Sequence, residues 1–245
     1  MKWIVESLRV SVFFVPPGLA NFDPLLATIV GVEPEEVTER PKISKSEVGR
    51  ASSGHIFLTQ QPDRIDLVLG ARADQAPSED VGFFNVGPYE KAKETLYEPA
   101  KRLVEFQGAS ISRVAFGVIL LANVSDRVEG YKMLASLLPS VKVDPINTEE
   151  MVWQINRPRG SAVLNTMKIN RISKWRVLSA QRMLFQLSPQ ASVAATTSPI
   201  ISAVKADLET NTPVSEAALP KDRLKDILEE LWFAAEELSV KGDVP

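Results

Sequence analysis

Residues 151–187, MVWQINRPRGSAVLNTMKINRISKWRVLSAQRMLFQL, set the architecture expected of this chain. Val, Ile, Leu and Trp alternate there with polar residues at a period of two, which predicts strands over 151–156, 162–172 and 175–187. Arg157-Pro158-Arg159-Gly160 separates the first two, because Pro withholds an N–H from the ladder and Gly eases a turn. Long strands that follow one another without a helix favour antiparallel pairing. The same region is free of acid. From Met151 to Ala206 there are eight basic residues, Arg157, Arg159, Lys168, Arg171, Lys174, Arg176, Arg182 and Lys205, and no Asp or Glu. With a formal net charge of −3 for the whole chain, the remainder carries −11. A sheet face of one sign on an otherwise acidic chain is a docking surface for something negative.

The flanking sequence supplies the other elements. On the C-terminal side a strand is predicted over 200–208, then a helix over 220–238, whose stripe of Leu224, Ile227, Leu228, Leu231, Ala235 and Leu238 is the clearest helical period in the chain. On the N-terminal side, 111–123 is an apolar strand, and Ser125 caps a helix that runs to Leu138 and stops at Pro139. A helix over 89–107 buries Ala92, Leu96, Ala100, Leu103 and Phe106, carries a kink at Pro99 and ends at Gly108. Residues 55–61 and 64–71 read as a hairpin about Pro62-Asp63. The polar stretch 34–54 holds a weak edge strand near 42–50, and 73–80 is a loop. The first strand covers 3–15 and ends at Pro16-Pro17-Gly18. Asn21 or Asp23 then caps a short helix through Val30, with Gly31 as its stop.

Both parts of the chain, 1–108 and 109–245, thus read strand, short helix, several strands, long helix. The expected class is α+β: a curved, mostly antiparallel sheet from two similar halves, with the helices packed on one face and the other face open. The TATA-box-binding and helix-grip proteins have a similar topology.

Composition narrows the chemistry. At 245 residues, with 44% hydrophobic side chains, the chain can bury one large core or two joined ones. No cysteine is present, which excludes disulfides, thiolate zinc sites, Cys nucleophiles and Cys-held iron–sulfur clusters. Glu6 and Arg9 interrupt the apolar start, against a signal peptide, and no run is long enough to span a membrane. A cytoplasmic location is expected. The only histidine is His55, so any Ser–His–acid triad would run through it, and nearby Ser52 and Ser53 lack a Gly-x-Ser-x-Gly context. Phosphate-cradling glycine loops are missing. Residues 82–88, Gly-Phe-Phe-Asn-Val-Gly-Pro, read as a buried aromatic anchor with a turn. Asp207 and Glu209 share one strand side at i, i+2 and are read as a solvated strand end rather than a metal site. Glu229, Glu230, Glu236 and Glu237 are read as the solvated flank of the last helix.

No catalytic residue, metal or cofactor is therefore assigned. The assigned surface is a partner-binding set: Arg157, Arg159, Lys168, Arg171, Lys174, Arg176 and Arg182. Its expected partner is a protein with an acidic surface, which makes the chain a non-catalytic accessory or regulatory subunit. Nucleic acid is the alternative, with Trp153 and Trp175 among the charges as stacking platforms.

Three stretches together resemble a sporadically distributed family of uncharacterised bacterial proteins of about 250 residues. They are Arg113-Val114-Ala115-Phe116 running to Asn123, then Ala206-Asp207-Leu208-Glu209, then the helical stretch from Leu224 to Leu238. Where that family carries a second Arg and a Tyr, this chain has Gly117-Val118-Ile119-Leu120. The resemblance implies an α+β fold and a role in bacterial phage defence.

Overall fold

The computed structural model describes residues 2–15, 25–72, 82–106, 110–181, 183–187 and 193–243. The chain opens with β1 (Ile4–Val15), α1 (Leu25–Val30) and two hairpins, β2 (Glu36–Arg40) with β3 (Ser44–Ala51) and β4 (Gly54–Gln61) with β5 (Arg64–Gly70). Helix α2 (Tyr89–Glu105) leads to β6 (Ser110–Val124), α3 (Arg127–Leu137), β7 (Val152–Asn156) and the two-residue β8 (Arg159–Gly160). Strand β9 (Lys168–Ala180) is followed by a separate small hairpin, β10 (Met183–Leu187) and β11 (Val193–Thr197). Then come β12 (Ile201–Asn211), a 3-10 turn (Lys221–Arg223) and α4 (Leu224–Lys241).

The class is α+β. One ten-stranded sheet runs β2-β3-β4-β5-β1-β6-β12-β9-β7, with β8 attached to β9, and its strand pairs are antiparallel. Cross-strand register explains the layering. A single row passes through Glu47, Leu58, Leu67, Val10, Phe116, Thr210 and Arg171. All seven are buried, so this is the face that meets the helices. Leu26 at the start of α1 donates its N–H to Glu47, Trp232 of α4 stacks on Phe116 with ring centroids 4.4 Å apart, and Thr210 donates to the Leu231 carbonyl. Side chains one position along each strand turn to the other face, where no described helix packs.

Helix α3 approaches β9 closely because Gly130 has no side chain: a Cβ there would come within 2.8 Å of Val177. Its cap differs from the expectation. Asp126, not Ser125, accepts the Glu129 N–H at 3.0 Å, since a carboxylate one residue later reaches the third amide of the first turn. Helix α2 keeps Pro99 inside it and buries it with Leu96, Ala100 and Leu103.

Two strand boundaries also move. The strands expected over 162–172 and 175–187 are divided differently: β9 runs unbroken through Ser173 and Lys174, because all of it from Asn170 to Ala180 pairs with β12, and β10 takes 183–187 as a separate strand. Residues 161–167 form turns instead, where the Ser161 hydroxyl accepts from the N–H groups of Val163 and Leu164. The polar 34–54 stretch holds a whole hairpin rather than one weak strand. It turns at Lys42 (φ 63) and leaves β2 exposed along its length as a sheet edge. Among the described residues no helix is long and apolar enough to cross a membrane. The readings of Pro16 to Gly18, Asn21, Asp23, residues 73–80 and Gly108 lie outside the described residues.

Candidate functional site

The unbroken β9 sorts the basic residues by parity. Ile169, Arg171, Ser173 and Trp175 point to the helices and are at most 2% exposed. Lys168, Asn170, Ile172, Lys174 and Arg176 point the other way and are exposed or half-buried. Of the seven assigned residues, Lys168, Lys174 and Arg176 thus share the open face, and none of the three forms an ion pair with a described residue. Lys205 of β12 lies opposite Arg176 and is engaged with Glu6 at 2.6 Å. Arg182 lies outside the described residues.

Arg157, Arg159 and Arg171 do not belong to that face. They turn to the C-terminal half of α4, where the acids missing from their own stretch are found. Arg157 Nε donates to Asp243 at 2.5 Å, Arg159 donates to Glu237 at 2.7 Å, and Arg171 reaches the same Glu237 oxygen at 3.5 Å. Glu230 accepts from the Ser161 hydroxyl and the Ala162 N–H, both at 2.6 Å. The acidic flank of the last helix is therefore not simply solvated: Glu229 accepts from the Tyr97 hydroxyl, and Glu236 from Tyr89 and Lys93. Much of the negative surface that the basic stretch seeks belongs to its own chain. The missed signal was the parity of Arg171 with Ile169 across an unbroken strand.

These contacts shift the groups involved. Burial lowers the Arg171 guanidinium below its ordinary range, and neighbouring Arg159 adds to this. The hydrogen bond from Lys241, then the hydrogen bond and charge of Arg159, hold the Glu237 carboxyl below its usual range despite burial. Burial pushes Asp243 up, but hydrogen bonds from Arg157, Ser140 and Trp153 outweigh it and leave the carboxyl low. A carboxylate held low in the folded state stabilises it fully above the unfolded value and loses that contribution as pH falls through the folded one. The contact between 152–160 and α4 is therefore expected to loosen below about pH 4, before the central strands do. Amide exchange at 152–160 against that of β6, followed between neutral pH and pH 3, checks this. Equal protection ratios at both ends of the range would refute it.

The open face is a mixed-charge platform rather than a basic one. Arg9 lies over Gly117 and reaches Glu209 at 3.1 Å, while Arg113 approaches the same carboxylate at 3.8 Å and covers the Phe13 ring at 4.9 Å. Asn156, Asn170 and Asn211 pass hydrogen bonds of 2.9 Å along to Glu209. Further across, Ser11 donates to Asp66 at 2.5 Å, and Ser46 and Thr59 bond at 3.1 Å. Asp207 stands opposite Lys174. Asp207 and Glu209 do share a side, as their spacing requires, and Glu209 is occupied by two arginines and an asparagine. Among the described residues no group of three potential metal ligands occurs.

The remaining candidates are tied into the framework. His55 is buried, with Nε2 4.0 Å from Glu35 and, among the described residues, no hydrogen-bond partner for Nδ1. Ser52 and Ser53 both bond to Thr95 of α2 at 2.9 Å. In 82–88 the aromatic residues are not the anchor: Phe84 is 41% exposed, and it is Val86 that is buried and pairs with Val5 while Asn85 makes the turn. Trp175 is fully buried, and Trp153 donates to Asp243 on the helix side. No family model matches the chain, and no curated protein matches it.

Proposed function

We propose that the chain is a non-catalytic accessory subunit that docks a protein partner on its open sheet face through Lys168, Lys174 and Arg176. The observation that carries this reading is that three cations of one strand stand on a face no described helix covers, without an ion pair among the described residues, while their neighbours Arg9, Arg113 and Lys205 are paired. The partner presents acidic groups to β9 and donors to Asp207, since the face carries both signs. A protein suits this mixture better than nucleic acid. Carboxylates on the face repel phosphates, and Trp153 and Trp175 lie on the helix side, away from any base that could stack on the cations' side.

We read the molecule further as two similar halves joined into one curved sheet. Support comes from β1 and β6, which pair at the centre of the strand order, and from the short helix that follows each and the long helix that closes each run. Phage defence as the setting follows from the sequence resemblance alone.

The test is a tagged pull-down from the native host at low salt, with and without nuclease, using the wild type and the double variant Lys174→Glu/Arg176→Glu. Neither residue holds an ion pair with a described residue, and the repulsion that Lys174→Glu creates opposite Asp207 is offset by the attraction that Arg176→Glu gains opposite Lys205, so the variant should keep its stability within about 0.5 kcal/mol. A stoichiometric protein that survives nuclease and is lost by about tenfold in the variant is expected. Retention of that protein by the variant overturns the assigned face. Recovery of nucleic acid alone overturns the protein reading in favour of the alternative.

A further inference from the structure

A crevice of about 970 Å³ opens where the start of β1, the first turn of α2, the end of β6, α3 and the last turns of α4 meet. It lies on the helix side, apart from the platform of the proposed docking face. Its walls are largely apolar, with Trp3, Ile4, Met133 and Val240 among them. The Trp3 indole N–H is already given to the Ser239 carbonyl at 2.9 Å, so the ring offers only its apolar surface and its π cloud.

The polar part of the lining belongs to a chain of donors converging on one carboxylate. Trp232 Nε1 donates to the Tyr89 hydroxyl at 2.9 Å, Tyr89 donates to Glu236 Oε1 at 3.0 Å, and Lys93 Nζ donates to the same oxygen at 2.6 Å. Burial and the Glu236 charge raise the Tyr89 hydroxyl well above its ordinary value, which keeps it a neutral donor. Two features remain unused. An ammonium has three donors and Lys93 spends one, and both bonds to Glu236 fall on Oε1, leaving Oε2 as an acceptor. Side by side in the crevice lining, these are a donor and an acceptor whose charges cancel. The rest of the lining is balanced too, with Lys2 and Glu90.

A net anion or cation entering such a site would face an opposite charge already neutralised and would lose its hydration without return. An uncharged molecule with an acceptor next to a donor would meet Lys93 and Glu236 together, and a flat ring would pack between Trp3 and the apolar wall. We infer that this crevice binds a small, uncharged, planar heteroaromatic molecule carrying a hydrogen-bond donor beside an acceptor, held by the Lys93–Glu236 pair and stacked on Trp3.

The probes are adenine and nicotinamide, with benzoate and benzylammonium as charged controls of similar size. They are titrated into the full chain while the Trp3 indole proton and the Met133 methyl are followed by NMR. A fragment of about ten heavy atoms is expected to bind with a Kd in the low millimolar range or tighter. At least one neutral probe should shift both reporters, and the charged controls should bind about tenfold more weakly or not at all. Ala122→Phe, which narrows the crevice from β6, should abolish the shifts. If that variant fails to fold, the two wild-type reporters still locate the site. No shift of either reporter by adenine or nicotinamide up to about 10 mM overturns the proposal. So does equal binding by benzoate, or binding that Ala122→Phe leaves intact.

Discussion

Glu237→Ala is expected to destabilise the chain by about 3 kcal/mol, whereas Arg171→Met should change stability by no more than about 1 kcal/mol in either direction. The two residues form one contact, and the asymmetry comes from which charge is left behind. Arg171 is 2% exposed, its Nε has no partner among the described residues, and its ion-pair partner is Glu237 at 3.5 Å. Without Glu237, a guanidinium stays buried with Arg159 beside it and only Asp243 to offset both it and Arg157. Without Arg171, Glu237 still holds Arg159 at 2.7 Å and Lys241 at 2.9 Å and is nearer to water. A Met of similar length fills the space and removes the desolvation penalty. Urea unfolding of both variants, read at constant m-value, measures the difference. Equal losses would mean that Arg171 stabilises as a paired ion and that the burial argument is wrong.

Phe116→Ala should cost about 3–5 kcal/mol. Phe116 has no exposed surface, sits on the central strand β6, and stacks on Trp232, whose ring in turn lies perpendicular to that of Tyr97 with centroids 5.3 Å apart. Truncation leaves a cavity beneath α4 that strands paired on both sides cannot close, because β6 is held by β1 and β12 along most of its length. Phe116→Leu retains most of the volume and should lose about 1–1.5 kcal/mol. Ile200→Ala, at a residue 63% exposed, should fall within about 0.5 kcal/mol of the wild type and serves as the control. A Phe116→Ala loss below about 1 kcal/mol would show that the helix layer settles onto the sheet far more freely than its packing suggests.

The open face and the helix-side contacts are linked through β9, one strand with two chemistries. Charge reversal at Lys174 and Arg176 addresses the first without touching the second, because neighbouring residues of a strand point to opposite faces. The acid sensitivity expected of Asp243 and Glu237 addresses the second without touching the first. The two experiments are therefore independent probes of binding and of folding.

Local signals in the sequence carried most of the elements. Alternation identified β1, an unbroken apolar run identified β6, turn residues located the β4–β5 hairpin, and the leucine stripe outlined α4, since these depend on neighbours a few positions apart. They also placed Asp207 beside Glu209. What they could not carry was the partner of each charge. Arg157, Arg159 and Arg171 find their carboxylates 66 to 86 positions away, on α4 and just beyond it. Lys205 finds Glu6 at a separation of 199. An acid-free stretch looks like a surface for a foreign partner when only its own residues are counted. Chain topology brings α4 across β9 and neutralises three of those cations, because a buried guanidinium is tolerated only beside a carboxylate. Strand periodicity is a property of the covalent chain, whereas charge pairing belongs to the packed molecule. For that reason the alternation of residues 167–170 was legible residue by residue, whereas the continuity of β9 through Ser173 and Lys174, and the division of the basic residues between an open face and an internal clasp, emerged only once sheet and helix were in contact.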